Sequence, residues 1–380
     1  MAEQSFASAA NFSHSLTSHY VQTAEEANSA ISPVSVFICM SMLKHGATGK
    51  TKTELEKSLS INSKNENQDA QHVIRKLTES SNDLFTLTTA NGLFLQEGFE
   101  PETAFVDHLK SEFTAHVENA KFGSQEGEKI VNDWVKKETN GKIKDLIKDT
   151  TEDHVMALVN AVYMKGKWAK PFEKEDTDEG EFNLLSGEKV NVQLMKQIGS
   201  FAYVKSGKFV MAFLPYKSAS SDTAWEMGIL LPEQGLKPTD FLKFLQRDQL
   251  KGLRSKAKLE RLDVILPKCR VECTIDLIPI FKKLGVKAAF TPGADFSGIS
   301  ANESTMVSSI LQKCFVDIDE EGTEAAAATA VMMMLSCAVG GIDEPPITFH
   351  VTCPHVYFIY QPSTGIVLFN GVVTDPTVGH

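Results

Sequence analysis

Apolar residues recur at helical spacing early in the chain and at strand spacing later. Ser32-Pro33 sets an N-cap before a proline at the first helical position. Val36, Met40 and Leu43 then follow at i, i+4 and i+7, and Gly46 stops the run. A second amphipathic helix puts Ile130, Val131, Trp134 and Val135 on one face and ends near Asn140-Gly141. Residues 60–70 are polar and read as a loop. From the middle onward the pattern changes to short runs rich in β-branched and aromatic residues, at 155–163, 209–216, 225–231, 262–266, 357–360 and 366–373. Pro362-Ser363-Thr364-Gly365 is a turn between the last two runs, so the chain is expected to finish in a β-hairpin. Helices first and strands later predict an α+β fold rather than the alternation of a parallel α/β fold. No Pro/Gly/Ser-rich linker, 20–50-residue repeat or low-complexity tract divides the chain, so residues 1–380 read as one domain.

Composition narrows the function classes. A chain of 380 residues with 42% hydrophobic content has core enough to fold without a disulfide or a metal. Lys+Arg 38 against Asp+Glu 49 gives a net charge of −11. That argues against nucleic-acid and anionic-membrane partners, which need a basic face. No run of eighteen apolar residues occurs. The first residues have neither a basic region nor an apolar core of a secretory signal, so a cytoplasmic location is expected, with leaderless secretion left open. The six cysteines (39, 269, 273, 314, 337 and 353) are scattered through a long chain and read as free thiols. Sequons at Asn11 and Asn302 matter only if the chain is exported.

Catalytic motifs are not found. There is no G-x-S-x-G elbow, phosphate loop or H-E-x-x-H helix. Cys269 and Cys273 stand four apart with no second Cys/His pair at zinc spacing, and read as two small thiols on one face of a strand. His154, His350 and His355 lack a motif around them, and Cys337 has no nucleophile signature. The chemistry favours a protein that binds or inhibits over an enzyme, with no cofactor and no metal.

Residues 320–346 break the pattern. By propensity the alanine-rich stretch should be helical, yet it shows no amphipathic face and runs into Gly340-Gly341 and Pro345-Pro346. At period 2, Thr323, Ala325, Ala327 and Thr329 form a face that is small throughout. Such a segment fits an exposed loop and also a strand sliding between two others. The run Glu320, Glu321, Gly322, Thr323, Glu324, Ala325, Ala326, Ala327, Ala328 and Thr329 resembles the reactive-loop hinge of inhibitory serpins.

The resemblance extends over essentially the whole chain. Residues 31–36 (ISPVSV) look like the family's shutter segment, and 160–168 (NAVYMKGKW) resemble its third-strand signature, with Asn160 in the shutter and Trp168 in the breach beneath the hinge. Residues 139–143, 284–290 and 294–299 and the C-terminal hairpin match in the right order. The lack of a signal peptide, a short N-terminus and the alanine-rich hinge are similar to the intracellular, ovalbumin-like branch. The family has a single domain with three β-sheets, eight or nine helices and an exposed reactive-centre loop, here about 320–346. Its usual shutter histidine is replaced by Gln312, which can donate and accept without titrating and so could bridge Ser32, Ser35 and Asn160.

By that resemblance the chain is a monomeric suicide-substrate inhibitor whose partners are target proteases. The cleaved hinge enters the central sheet and traps the acyl-enzyme. A non-inhibitory serpin used for storage or chaperoning is the alternative, but such members usually carry bulky, charged or proline residues in the hinge. The family's usual distance from Gly322 puts the scissile bond at Ser336-Cys337, with Leu335 one step before it. A bulky apolar residue there suits cathepsin-L-like cysteine proteases, and Ser336 suits elastase-like enzymes. A slip to Leu335 or Met334 suits chymotrypsin-like ones. Counting back from Pro354 instead lands near Asp343-Glu344, which suits a granzyme-B-like enzyme. No Lys or Arg follows Lys313, so trypsin-like proteases have no cation to bind.

Overall fold

The stiff β-branched runs and the helical stripes find their partners in a computed structural model that describes residues 6–20, 27–61, 68–82, 84–233, 235–301, 305–323 and 344–378. The helices are α1 (Ala7–Tyr20), α2 (Pro33–Gly46), α3 (Gly49–Ser58), α4 (Gln68–Ser80), α5 (Thr103–Phe113), α6 (Gln125–Glu138), α7 (Arg247–Lys256) and α8 (Ile278–Lys283). The strands are β1 (Ser29–Ile31), β2 (Phe85–Gln96), β3 (His116–Ala120), β4 (Met156–Lys167), β5 (Asp178–Asn183), β6 (Lys189–Ser206), β7 (Phe209–Pro215), β8 (Glu226–Pro232), β9 (Lys258–Pro267), β10 (Cys269–Asp276), β11 (Ser309–Ile318), β12 (Gly322–Thr323), β13 (Ile347–His350), β14 (His355–Gln361) and β15 (Ile366–Val373).

Among the described residues six strands make the central sheet, in the order β10-β11-β12-β4-β2-β3, with β11 and β4 also paired directly. The other nine form one network, β1-β15-β14-β8-β7-β6-β9-β13 with β5 on β6. This network divides at β6. Residues 189–203 of that strand pair with β5 and β9, while its end, Ala202–Ser206, pairs with β7. Split there, the described residues form three sheets, as the expected α+β fold requires.

The six anticipated strand runs match β4, β7, β8, β9, β14 and β15, three of them overrunning the strand by one residue, and the last two form the expected hairpin, with Gly365 at φ +74° in its turn. Two expectations need correction. Strands are not confined to the later chain, because β1, β2 and β3 lie among the first helices. Nor is α2 apolar on one face only. It is buried on nearly every side, Val36, Met40 and Leu43 together with Phe37, Ile38, Cys39 and Met42, because it passes through the main core. Helix α6 behaves as its stripe predicts. The Ser124 hydroxyl caps it by accepting from the Gly127 N–H at 3.1 Å, and left-handed Asn140 and Gly141 follow its end. Val131 and Val135 are buried in a cluster over the central sheet, each contributing about 1.5–3 kcal/mol by burial. Trp134 packs edge-on to Phe94 of β2. Among the described residues no helix is long and apolar enough to cross a membrane.

Candidate functional site

The site is a seam in the central sheet. Strands β11 and β4 run parallel and pair from Ser309–Ala157 to Phe315–Tyr163. Above that point β12 stands between them, with Gly322 opposite Lys167 and Thr323 opposite both Gly166 and Ile318. The first two residues of the expected hinge strand are therefore already inside the sheet, while the seam below is shut.

Asp319 makes the reversal from β11 into β12. Its carboxylate accepts from the Glu321 and Gly322 N–H groups at 2.9 and 3.1 Å, an Asx-type turn, and burial pushes its carboxyl pKa up. Gly322 must be glycine for lack of space: a Cβ there would lie 1.9 Å from the Gly166 carbonyl oxygen. The segment after β4 then grips the turn. The Trp168 N–H donates to the Glu321 carbonyl at 2.9 Å, its indole Nε1 to the Asp319 carbonyl at 3.0 Å, and the Phe172 N–H to the Glu320 carbonyl at 2.8 Å.

Side chains extend that grip. Glu320 is buried and its carboxylate accepts from Lys268 and Thr177, each about 3 Å away. Burial alone would raise its pKa, but its own backbone N–H, Lys268 and Thr177 together hold it below the usual carboxylate range. Glu321, at the surface, pairs with Lys174 at 3.2 Å. Thr323 is fully buried, its hydroxyl 2.8 Å from that of Tyr216. The Tyr216 ring stacks on Trp168 with centroids 4.6 Å apart and planes 10° apart.

A buried polar cluster, made of the residues expected to form the shutter, lies lower on the same seam. Gln312 and Asn160 are partners in the β11–β4 register, and Asn91 faces Asn160 from β2. The Gln312 amide donates to the Asn160 side-chain oxygen at 2.6 Å and to the Ser32 carbonyl at 3.0 Å, and its oxygen accepts from the Ser32 N–H at 2.9 Å. The Asn160 amide donates to Ser35 Oγ at 2.6 Å and to Asn91 Oδ1 at 2.7 Å. Gln312 thus bridges Ser32 and Asn160 as anticipated, but Ser35 is reached through Asn160. The Ser32 side chain itself is buried without a partner, so the bridge runs through its backbone.

The structure brings Ser32, Ser35, Asn160, Gln312, Trp168 and residues 320–323 to one seam. Sequence reasoning missed Asn91, Tyr216, Lys268 and Thr177, which reach the site only through strand pairing. Glu324, Ala325, Ala326, Ala327, Ala328, Thr329, Met334, Leu335, Ser336, Cys337 and Asp343 lie outside the described residues, as does Asn302. Glu344 is exposed ahead of β13. The five described cysteines form no disulfide, and Cys273 stands opposite Cys314 across β10 and β11. His154 accepts from the Thr151 N–H, and His350 pairs with Asp263 at 2.8 Å. His355 is buried, donates to the Cys353 carbonyl at 3.0 Å, and has its pKa lowered by burial to about 4. These three histidines sit in separate structural roles and share no site.

Known proteins share this architecture. A family model described as Serpin (serine protease inhibitor) matches residues 7–376. Alpha-1-antiproteinase 2 of Equus caballus is 35% identical over 378 residues, covering 97% of this chain and 86% of that protein. Among solved structures, the native state of the thermophilic serpin tengpin superposes with a TM-score of 0.87 at 27% identity, covering 99% of this chain and 95% of the other. Serpin48 of Tenebrio molitor, described as a highly specific serpin, gives 0.85 at 28% identity and covers 99% of both chains.

Proposed function

This chain belongs to the serpin family, and from that premise we propose that it is a suicide-substrate inhibitor of endopeptidases. Relatives named as antiproteinases support the inhibitory reading. The observation that carries it is the register of β12. Continued from Thr323, a strand in that register brings Thr329 between Gln312 and Asn160. Its hydroxyl would there replace the amide hydrogen bond that insertion breaks. Residues 325, 327 and 329 would follow Thr323 onto the core-facing side, and all are Ala or Thr, while Glu324 falls on the opposite side. Each inserted residue gains backbone hydrogen bonds to one flanking strand, alternating between β11 and β4 along the chain, worth about 0.5–1.5 kcal/mol net apiece.

In this reading the protease nucleophile attacks the Ser336 carbonyl. An acyl bond forms, the Ser336–Cys337 peptide bond breaks, and the proton leaves with the amine of Cys337. Insertion must then outrun hydrolysis of the acyl bond. The apolar run before the bond directs the trap to cathepsin-L-like cysteine proteases and to chymotrypsin- or elastase-like serine proteases. The second reading places the bond at Asp343-Glu344 for a granzyme-B-like enzyme, on the length of loop between Ser336 and Pro354. Membership of the ovalbumin-like branch rests on the alanine-rich hinge, whereas the relatives from Equus caballus and Ovis aries carry alpha-1-antiproteinase names.

The test is incubation with a cathepsin-L-like, a chymotrypsin-like, an elastase-like, a granzyme-B-like and a trypsin-like protease. An SDS-resistant complex with a released peptide beginning at Cys337 supports the trap and the first bond, and one beginning at Glu344 moves the bond. Cleavage by every enzyme without a complex makes the chain a non-inhibitory serpin.

A further inference from the structure

The shut seam ends on an aromatic pair. Phe315 of β11 and Tyr163 of β4 are the last residues paired directly across the seam below β12. Their ring centroids are 6.1 Å apart at 58°, and both are buried on the side of the sheet covered by α6. From β10, the Arg270 guanidinium lies 4.6 Å over the Phe315 ring. The Arg270 Nε is buried with no hydrogen-bond partner, while a terminal nitrogen is 3.5 Å from Glu272. The ring contact is therefore a principal use of that group.

Strand register makes this pair a gate. A strand continued three residues beyond Thr323 would place Ala326 level with both Phe315 and Tyr163. The two rings would then have to part, since their strands would move from one spacing to two, about 10 Å. Arg270 holds Phe315 on the β10 side as the strands separate.

We infer that the Phe315–Tyr163 contact is the rate-setting latch on insertion past Thr323, with Arg270 as the positioning residue that seats Phe315. This rests on the trapping mechanism proposed above. An aromatic pair of ordinary strength that is lost in the transition state slows insertion about two- to tenfold.

The test uses the full chain and a synthetic peptide with the sequence of residues 324–335, whose uptake into the sheet is followed on native gels. Stoichiometry of inhibition is measured alongside. Phe315→Leu is expected to take up the peptide about two- to tenfold faster than wild type, with unchanged circular dichroism. Tyr163→Leu should do the same, and the double variant should be no faster than either alone. Arg270→Gln should accelerate uptake in the wild-type background and have no effect in Phe315→Leu. Uptake at the wild-type rate by Phe315→Leu, or additive effects in the double variants, overturns the latch even where wild type traps its protease. A wild type that takes up peptide yet never forms a covalent complex overturns the trapping reading and leaves the latch measurable. A wild type that takes up no peptide while it traps its protease overturns the latch and leaves the trapping reading standing.

Discussion

Replacing Thr323 by arginine tests the trap where the hinge enters the sheet. Thr323 is fully buried, and its hydroxyl has one polar neighbour, the Tyr216 hydroxyl at 2.8 Å. The Tyr216 ring is already stacked on Trp168, so a guanidinium placed here meets rings and backbone in place of the threonine's hydroxyl partner. Burying such a cation costs several kcal/mol even after relaxation. At about 4 kcal/mol, insertion slows about a thousandfold. A trap that outruns acyl hydrolysis by a hundredfold would then lose the race. The geometry adds a second effect, because Thr323 is inside the sheet before any cleavage. Arginine should therefore expel β12 from the uncut protein and strip Tyr216 and Trp168 of their cover. The expected result is a red-shifted Trp emission in the intact variant, and cleaved product in place of SDS-resistant complex on incubation with the protease that wild type traps best. Thr323→Val is the control. It keeps the shape and leaves only the Tyr216 hydroxyl unpaired, at about 1–3 kcal/mol, and should still trap. Complex formation by Thr323→Arg at wild-type stoichiometry would refute the argument. Equal damage from valine and arginine would show that charge is not the cause.

Three further outcomes are expected from the same seam and its surroundings. Gln312→Leu leaves the Ser32 N–H and the Asn160 side-chain oxygen buried and unmet, so a loss of about 2–4 kcal/mol is expected, read as a lower urea midpoint at unchanged slope. Gly322→Ala puts a methyl against the Gly166 carbonyl and should displace β12, giving the Trp emission shift of Thr323→Arg without adding a charge. His355 has a folded pKa near 4 against an ordinary 6.5, so as pH falls the unfolded chain takes the proton first. Its contribution is full above about pH 6.5 and is lost towards pH 4, by up to about 3 kcal/mol. Glu320, held below its ordinary value, adds to the loss in acid. Denaturant curves at pH 7.5, 6 and 4.5 should show this decline, and His355→Gln should flatten its upper part.

Elements with a strong local signal are readable in the chain. Strands β14 and β15 are short, apolar and separated by a turn, and α6 carries one stripe between a serine cap and Asn140-Gly141. Of the expected hinge strand, Gly322 and Thr323 are described and form β12, and the residues after them lie outside the described chain. The features that stay hidden depend on pairing across the sheet. Asn91 and Gly92 lie in the middle of β2. There Asn91 bonds Asn160, and Gly92 makes room for Trp134, whose ring would lie 2.9 Å from a Cβ. Tyr216 sits 107 residues from Thr323, and only the placement of Trp168 beneath β12 brings them together. The route from Gln312 to Ser35 escapes the sequence for the same reason: composition shows which amides could meet, and register decides which of them do.

The two residues of β12 change the kinetic character of insertion. Adding a strand to a sheet ordinarily begins with nucleation, in which the chain surrenders the entropy of closing a loop before any ladder bond rewards it. Here that step was completed when the protein folded, since Thr323 already has a neighbour on each side. In the proposed trap, cleavage would supply only slack, and the strand would grow from an existing end. A protease held by an acyl bond would then meet the Phe315–Tyr163 barrier but no nucleation step.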